Sequence, residues 1–403
     1  MPFDASSELA AYRAAVRDWL ERHAGEAPHP HAARDAAPEA EHVARRRAWQ
    51  ARLADAGWLG AAWPADAGGR GLTPAHAAVV EQELEAAGVP GAFDVVGIGM
   101  VAPTIIAHGS PAQRSRHLPP LLRADEVWCQ LFSEPGAGSD LAAVATSARS
   151  EPDGNWRVSG QKMWTSHAQH AAFGLMLART DISVPKHHGL TMFVVPMDAV
   201  GITIRPLRQI SGATRFSEVF LDDVRLGADA VVGDVGGGWR VAVGALSGER
   251  SALSRTAESL SWPVETFAAA LASVPSAVDD PDVQRRFGEI ACELLALRWR
   301  RRQAAERPPD PVTDPAAALD KVTAVAAATR AGDLLCDVLG PAALEDEEWG
   351  RMVSDLPGLR SAGGTDEIIR TVVGERALGL PPEPRVDRDI PFDRLPEPGL
   401  GTS

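Results

Sequence analysis

Residues 129–140 read Cys129-Gln-Leu-Phe-Ser-Glu-Pro-Gly-Ala-Gly-Ser-Asp140, and after a short run the chain continues as Ser159-Gly-Gln-Lys-Met-Trp-Thr-Ser166. The first half is an extended apolar run that breaks at Pro135. A glycine-rich loop follows, in which Gly136 and Gly138 permit backbone angles that other residues resist. The second half alternates like a half-buried strand, with Trp156 and Val158 and then, past a turn at Gly160, Met163 and Trp164. Two strand ends therefore offer the hydroxyls of Ser133 and Ser166, the indole face of Trp164 and free loop amides. Such a set suits a flat, polar-edged heterocycle with an anionic tail.

Around this stretch the period of the chain changes. Residues 6–23 form an amphipathic pattern with Leu9, Tyr12, Val16 and Leu20 on one stripe. Further helical patterns cover about 41–56, 74–88 and 93–124. From about 126 to 232 the period becomes two, with strands expected over 127–133, 155–166, 172–179, 190–197, 202–207 and 216–221, which is a small all-β barrel or sandwich. Helical patterning returns beyond Gly236-Gly237-Gly238, over 239–260, 263–272, 281–305, 315–339 and 364–377. The expected fold class is α+β multidomain: a helical domain over 1–125, a central β domain over 126–232, a helical bundle over 233–380 and a proline-rich tail over 381–403. That tail is expected to wrap the surface or a neighbour.

Composition narrows the function. A chain of 403 residues with 45% hydrophobic and 23% charged residues has ample material for a globular core. The formal net charge of −14 lacks the basic stripe that nucleic acid requires. No apolar run approaches the ~18–20 residues of a membrane span, and the N-terminus lacks a signal-peptide pattern. Cys129, Cys292 and Cys336 lie far apart and form no Cys-x-x-Cys, which fits free thiols in a reducing cytoplasm. Residues 93–102, Phe93-Asp-Val-Val-Gly97-Ile-Gly99-Met-Val-Ala102, match a dinucleotide fingerprint, yet no acidic residue follows between Asp94 and Asp125. A helix with small residues for close packing is the favoured reading there. His167, His170, His187 and His188 show no metal-ligand spacing, so no metal is expected.

The two blocks at 129–140 and 159–166, in this order and spacing, resemble the flavin- and substrate-binding blocks of the acyl-CoA dehydrogenase family. A third block, Ser361-Ala-Gly-Gly-Thr-Asp-Glu-Ile-Ile-Arg370 followed by Gly374-Glu-Arg376, resembles the family's C-terminal helix entry, and the likeness covers roughly 5 to 380. The resemblance implies the same three-part architecture, FAD as cofactor, and an α,β-dehydrogenation of an acyl thioester held on CoA or a carrier. It implies electron-transfer flavoprotein as acceptor and a tetramer, of one chain or of two different chains. By motif matching, Phe132 and Ser133 fall at the flavin edge, Trp164 on the isoalloxazine, Ser166 at its reactive face, and Thr365 and Glu367 at further flavin contacts. Ser139 falls where the family holds the phosphopantetheine arm, whereas Asp140 reads as a turn cap.

Many members carry the catalytic base as a Glu immediately before Gly-Thr, where this chain has Gly363. The isovaleryl-CoA dehydrogenase branch instead uses a Leu-x-x-Glu-Arg pattern, matched by Leu246-Ser-Gly-Glu249-Arg250. The resemblance therefore implies Glu249 as base, Arg250 fixing its surroundings, and the Gly363 amide as donor to the thioester carbonyl. A glycine at 363 also leaves room for a branched or bulky acyl group. The nearest text to the family's Arg-x-x-Phe-Gly motif, whose Arg reaches a neighbouring subunit's flavin pyrophosphate, is Arg285-Arg286-Phe287-Gly288, with the wrong spacing and in a different context. Two alternatives follow from the same likeness: a flavin-dependent monooxygenase or oxidase on this fold, and a partner subunit of a heterotetrameric dehydrogenase.

Overall fold

A computed structural model describes residues 5–28, 39–246, 264–305, 316–382, 384 and 387–395. The chain opens with α1 (Ala5–His23), α2 (Glu39–Asp55), α3 (Pro74–Ala86), α4 (Ala102–His108) and α5 (Pro111–Leu122). The strands are β1 (Trp128–Leu131), β2 (Ser147–Ser150), β3 (Trp156–Ser166), β4 (Phe173–Arg179), β5 (Leu190–Pro196), β6 (Ile202–Leu207), β7 (Phe216–Leu226) and β8 (Val231–Val232). Helix returns as α6 over 238–246, α7 (Val264–Ala272), α8 (Pro275–Val278) and α9 (Pro281–Ala305). It ends with α10 (Ala316–Leu339), α11 (Ala342–Glu345), α12 (Glu347–Leu359) and α13 (Asp366–Val372). The fold is thus a helical N-terminal domain, a middle domain built on a sheet and a helical C-terminal domain.

These elements gather into two compact units. One takes Met1–Val95, Leu122–Asp125 and Arg250–Ala377. In its N-terminal part the α1 stripe buries Val16 and Leu20 against Trp49 and Leu53 of α2 and Val79, Val80 and Leu84 of α3. Glu83 is buried there and accepts from Arg13 at 2.7 Å and Arg17 at 2.9 Å, bonds that offset the cost of burying its charge. The C-terminal part packs α7, α9, α10 and α12 around Phe267, Ile290, Leu294, Val325, Leu334 and Leu335. Small residues let these helices approach closely: Ala324, Ala327 and Ala331 are buried on α10, and a Cβ at Gly332 would lie 2.5 Å from Leu356.

The second unit takes Val96–Leu121, Glu126–Glu249 and Leu378–Ser403. The glycine-rich text at 97–101 forms a single wide helical turn leading into α4, with Val95 and Val96 already helical, so the dinucleotide fingerprint has no strand before it. Gln113 on α5 donates to the carbonyls of Asp229 and Val231 at 2.8 and 2.9 Å, and the buried His117 packs edge-on against Trp128 and Phe173. The eight strands form one sheet in the order β6-β7-β3-β2-β4-β5-β8, with β1 parallel to β4. Residues of β3 and β7 (Trp156, Val158, Val219, Leu221) share one core with residues of β4 and β5 (Met176, Ala178, Phe193, Val195), so the sheet folds over on itself. Gly160 makes no turn; it lies inside the continuous β3, where a Cβ would come within 2.4 Å of Thr146 Oγ1.

Candidate active site

The two blocks singled out by sequence are brought together by main chain and by a buried ion pair. The N–H of Met163 donates to the carbonyl of Ser133 at 2.8 Å, joining the end of β1 to the middle of β3. Lys162 has a fully buried side chain, and its Nζ donates to the carbonyls of Phe132 (3.0 Å) and Leu177 (2.7 Å) and to Glu134 Oε1 (2.8 Å). Glu134 also accepts from the N–H groups of Ala145 (2.7 Å) and Thr146 (2.9 Å). Burial alone would raise the Glu134 carboxyl, but the charge and hydrogen bond of Lys162 hold it below the usual carboxylate range. Burial pulls the Lys162 ammonium down while Glu134 opposes it. Lys162 therefore holds the entry to the glycine-rich loop, and its partner Glu134 holds the residues just beyond the loop.

β3 is irregular at this point. Its register against β7 shifts between Lys162 and Thr165, and between them Trp164 stands at φ 57°, a left-handed conformation rare for a bulky side chain. Lys162 and Thr165 face inward, while Trp164 faces out with 58% of its surface exposed. The indole meets Phe216 edge-on at 5.9 Å, and Ser166, half-buried, pairs with Phe216 in the ladder. Ser133 is half-buried and Ser139 exposed. Phe132 is 2% exposed, so its ring belongs to the core, not to an open face.

In the loop, Gly136 and Gly138 depart from expectation. Neither adopts a positive φ, and a Cβ on either would meet open space, so nothing within the chain itself demands glycine there. Asp140 is not a turn cap either, because its side chain makes no capping bond to the following turn. It accepts instead from Lys186 Nζ at 2.7 Å.

The C-terminal block lies in the other unit. Gly363 and Gly364 stand at φ 64° and 100°, conformations that favour glycine, and Thr365 caps α13 by accepting from the N–H of Ile368 at 3.3 Å. Lys321 on α10, 1% exposed, donates to Asp366 Oδ1 at 2.9 Å and to the carbonyls of Arg360 and Gly364. Glu367 is exposed in the first turn of α13, its carboxyl lowered by a backbone hydrogen bond and by Thr365. Arg285 pairs with Asp282 and Glu289, and Arg286 with Asp337 at 2.8 Å. Both arginines are thus engaged within their own chain.

Glu249 and Arg250 lie outside the described residues. Among the described residues no group of His, Cys, Asp and Glu could hold a metal, and no helix is long and apolar enough to cross a membrane. The sequence reading missed Lys162, Glu134, Lys186, Lys321 and Asp366. A signal existed for two of them. Lys162 shares the inward parity of Trp156 and Val158 on β3, and Lys321 sits on the α10 stripe with Ala318 and Val325.

Three family models match the chain in order: acyl-CoA dehydrogenase N-terminal domain over residues 6–125, middle domain over 129–224 and C-terminal domain over 236–378. Among curated proteins the chain is 39% identical over 390 residues to acyl-CoA dehydrogenase IpdE1 of Mycobacterium tuberculosis, covering 93% of this chain and 99% of that one. It is 42% identical over 335 residues to acyl-CoA dehydrogenase FadE34 of the same organism, covering 82% of this chain and 46% of that one. Among solved structures, the Tcur3481-Tcur3483 steroid ACAD superposes with a TM-score of 0.76 at 27% identity, covering 95% of this chain and 100% of that chain. The ChsE4-ChsE5 complex from Mycobacterium tuberculosis gives 0.74 at 28% identity, covering 94% of this chain and 99% of that chain.

Proposed function

The chain belongs to the acyl-CoA dehydrogenases, a family of oxidoreductases, and we propose that it is an FAD-dependent dehydrogenase that forms an α,β-double bond in a bulky acyl-CoA. The observation that carries this reading is Trp164, an exposed indole held in a strained conformation beside Ser133 and Ser166. Strain that the chain does not itself use, placed at a strand end, is characteristic of a ligand platform. The residues fit a flavin: an open aromatic face, two hydroxyls for its polar edge, and a loop whose glycines leave room for a ligand's approach. Phe132 joins this set through its main chain, and Thr365 and Glu367 are the contacts proposed from the C-terminal block.

Removing the proton α to the thioester carbonyl puts charge on the carbonyl oxygen, which needs a donor as that charge develops. Glu249 is the proposed base, Arg250 fixes its surroundings, and the Gly363 N–H is the proposed donor. FAD, when bound, accepts the hydride that leaves the β carbon. Ser139 holds the carrier arm, and electrons pass on to electron-transfer flavoprotein. The missing side chain at Gly363 and the likeness to a solved steroid ACAD support a steroid side chain or a ring system of similar bulk as the acyl group.

Anaerobic titration of the purified protein with a panel of acyl-CoA thioesters tests this. Bleaching of the flavin band by a bulky thioester, lost by about 10²–10⁴-fold in rate in Glu249→Gln without loss of flavin, is the expected result. A flavin band that no thioester bleaches would instead support an oxygen-using reaction on this fold. A second reading, a partner chain in a mixed assembly, is supported by the intrachain pairing of Arg285 and Arg286.

A further inference from the structure

The last described segment, residues 387–395, has no part in the reading above, yet it is fastened to the loop after Ser139 through two cations. Pro391 bridges Pro185 in antiparallel fashion, the Phe392 N–H donates to the Val184 carbonyl at 3.0 Å, and the Asp393 N–H donates to Ile182 at 3.0 Å. The segment thereby lies along the connection between β4 and β5, held by a single bridge at Pro391 and a 3-10 turn over Phe392–Arg394. Asp387 accepts from Lys186 Nζ at 2.6 Å, and the same ammonium donates to Asp140 at 2.7 Å. The Phe392 ring lies 3.6 Å from the guanidinium carbon of Arg179. Arg179, 3% exposed, in turn donates to the carbonyls of Ala142, Val144 and Lys186.

Each cation therefore has one side on the Asp140–Val144 loop and the other on the tail. Burial pulls the Arg179 guanidinium down to about 10, which still leaves it charged at neutral pH. A buried guanidinium that spends its N–H groups on three carbonyls keeps an uncovered face, and an aromatic ring is the partner best suited to cover it. Lys186 is nearly buried at its head, so two carboxylates hold it more firmly than the exposed Asp140 does alone.

We propose that residues 387–395 are a strap that positions the Ser139 loop for the carrier arm of the thioester, with Lys186 and Arg179 as its positioning residues and Phe392 and Asp387 as its keys. The proposal rests on the reading of Ser139 as a substrate contact. Among the described residues the strap's bridge, hydrogen bonds and ring contact go to Ile182, Val184, Pro185, Lys186 and Arg179 and not to Trp164 or Ser133, so its loss acts on thioester affinity and leaves the flavin environment as it was.

The test uses full-length holoenzyme carrying Phe392→Ala or Asp387→Asn, with free CoA as probe in calorimetry and acyl-CoA turnover alongside. Either variant is expected to weaken CoA binding and raise KM about tenfold, with kcat within twofold and an unchanged visible flavin spectrum. Phe392→Tyr, which keeps a ring over Arg179, is expected to restore both. CoA affinity within twofold of wild type in Phe392→Ala and Asp387→Asn alike would overturn the strap while leaving the function intact. Wild-type protein that is yellow yet takes up no CoA would overturn the reading of Ser139 and the strap with it. Should Phe392→Ala fail to fold, the milder Asp387→Asn decides by the same two readouts.

Discussion

Trp164 carries a conformational cost that its own chain does not recover. A left-handed backbone costs a non-glycine residue roughly 1–2 kcal/mol, and an indole 58% exposed regains little of it by burial. Stability and cofactor affinity should therefore move in opposite directions at this position. Trp164→Gly is expected to leave the apoprotein as stable as wild type or about 1 kcal/mol more stable, and to weaken FAD binding about tenfold, read by urea unfolding of the apoprotein and by flavin titration. Lys162 and Glu134 behave differently, because they are buried as a pair. Lys162→Met strands the carboxylate and is expected to cost ~3–5 kcal/mol. The folded Glu134 carboxyl is held below its unfolded value of about 4.3, so its contribution is present above that pH and fades as pH falls through the folded value. Unfolding midpoints measured from pH 6 down to pH 3 are expected to fall steeply in wild type, and less steeply in Glu134→Gln. Sequence spacing picked out Trp164 through its neighbours. It did not reveal the left-handed backbone, which arises from a register shift against β7, a partner more than fifty residues away.

The entry to α13 shows how an element can be readable while its support is not. Gly363-Gly364-Thr365 announces a turn and a cap, and the chain uses it so, with two positive φ values and a Thr365 bond to Ile368. What holds the turn is Lys321, some forty residues earlier, whose place on the α10 stripe gives its burial but not its three partners. Thr365→Ala is expected to cost about 1 kcal/mol for the lost cap, and Thr365→Ser to keep it. Lys321→Met is expected to cost ~3–5 kcal/mol by leaving Asp366 buried without its ammonium. Chemical denaturation of the three variants checks both magnitudes. If Thr365 also holds flavin, Thr365→Ala loses more in flavin affinity than in stability. The β unit gives the converse lesson. Its longer strands were legible, β7 by alternation and β4 and β5 as continuous apolar runs, whereas β2 and β8, of four and two residues, are too short to show a period and exist because β3, β4 and β5 offer them edges.

At the scale of the whole molecule, the order helix, sheet, helix was legible because the apolar period changes from 3.6 to 2 and back within one chain. The assignment of Leu122–Asp125 to the unit of α1–α3, although the segment lies between α5 and β1, had no such signal. It follows from long-range bonds: Gln50 donates to the Leu122 carbonyl at 3.1 Å and Arg47 to Ala124 at 2.8 Å. Long-range pairing also bears on how the protein assembles. An arginine that is to reach a flavin pyrophosphate on another chain gives up the ion pairs it holds, which for exposed helix pairs costs about 0.3–0.5 kcal/mol each. Arg285 has two carboxylates within hydrogen-bond reach and Arg286 has Asp337, so neither is free to do so without breaking an ion pair. A second chain that supplies such a cation is the alternative reading proposed above. On that alternative the protein expressed alone purifies with well under one FAD per chain, whereas on the leading reading it purifies yellow, judged by the ratio of visible to ultraviolet absorbance. Co-expression with a homologous chain carrying an unpaired arginine at the Arg285 position is expected to raise that ratio and to yield a mixed complex by light scattering. Full flavin occupancy in the lone chain would sink the mixed assembly, and would place the pyrophosphate contact on a residue other than Arg285 or Arg286.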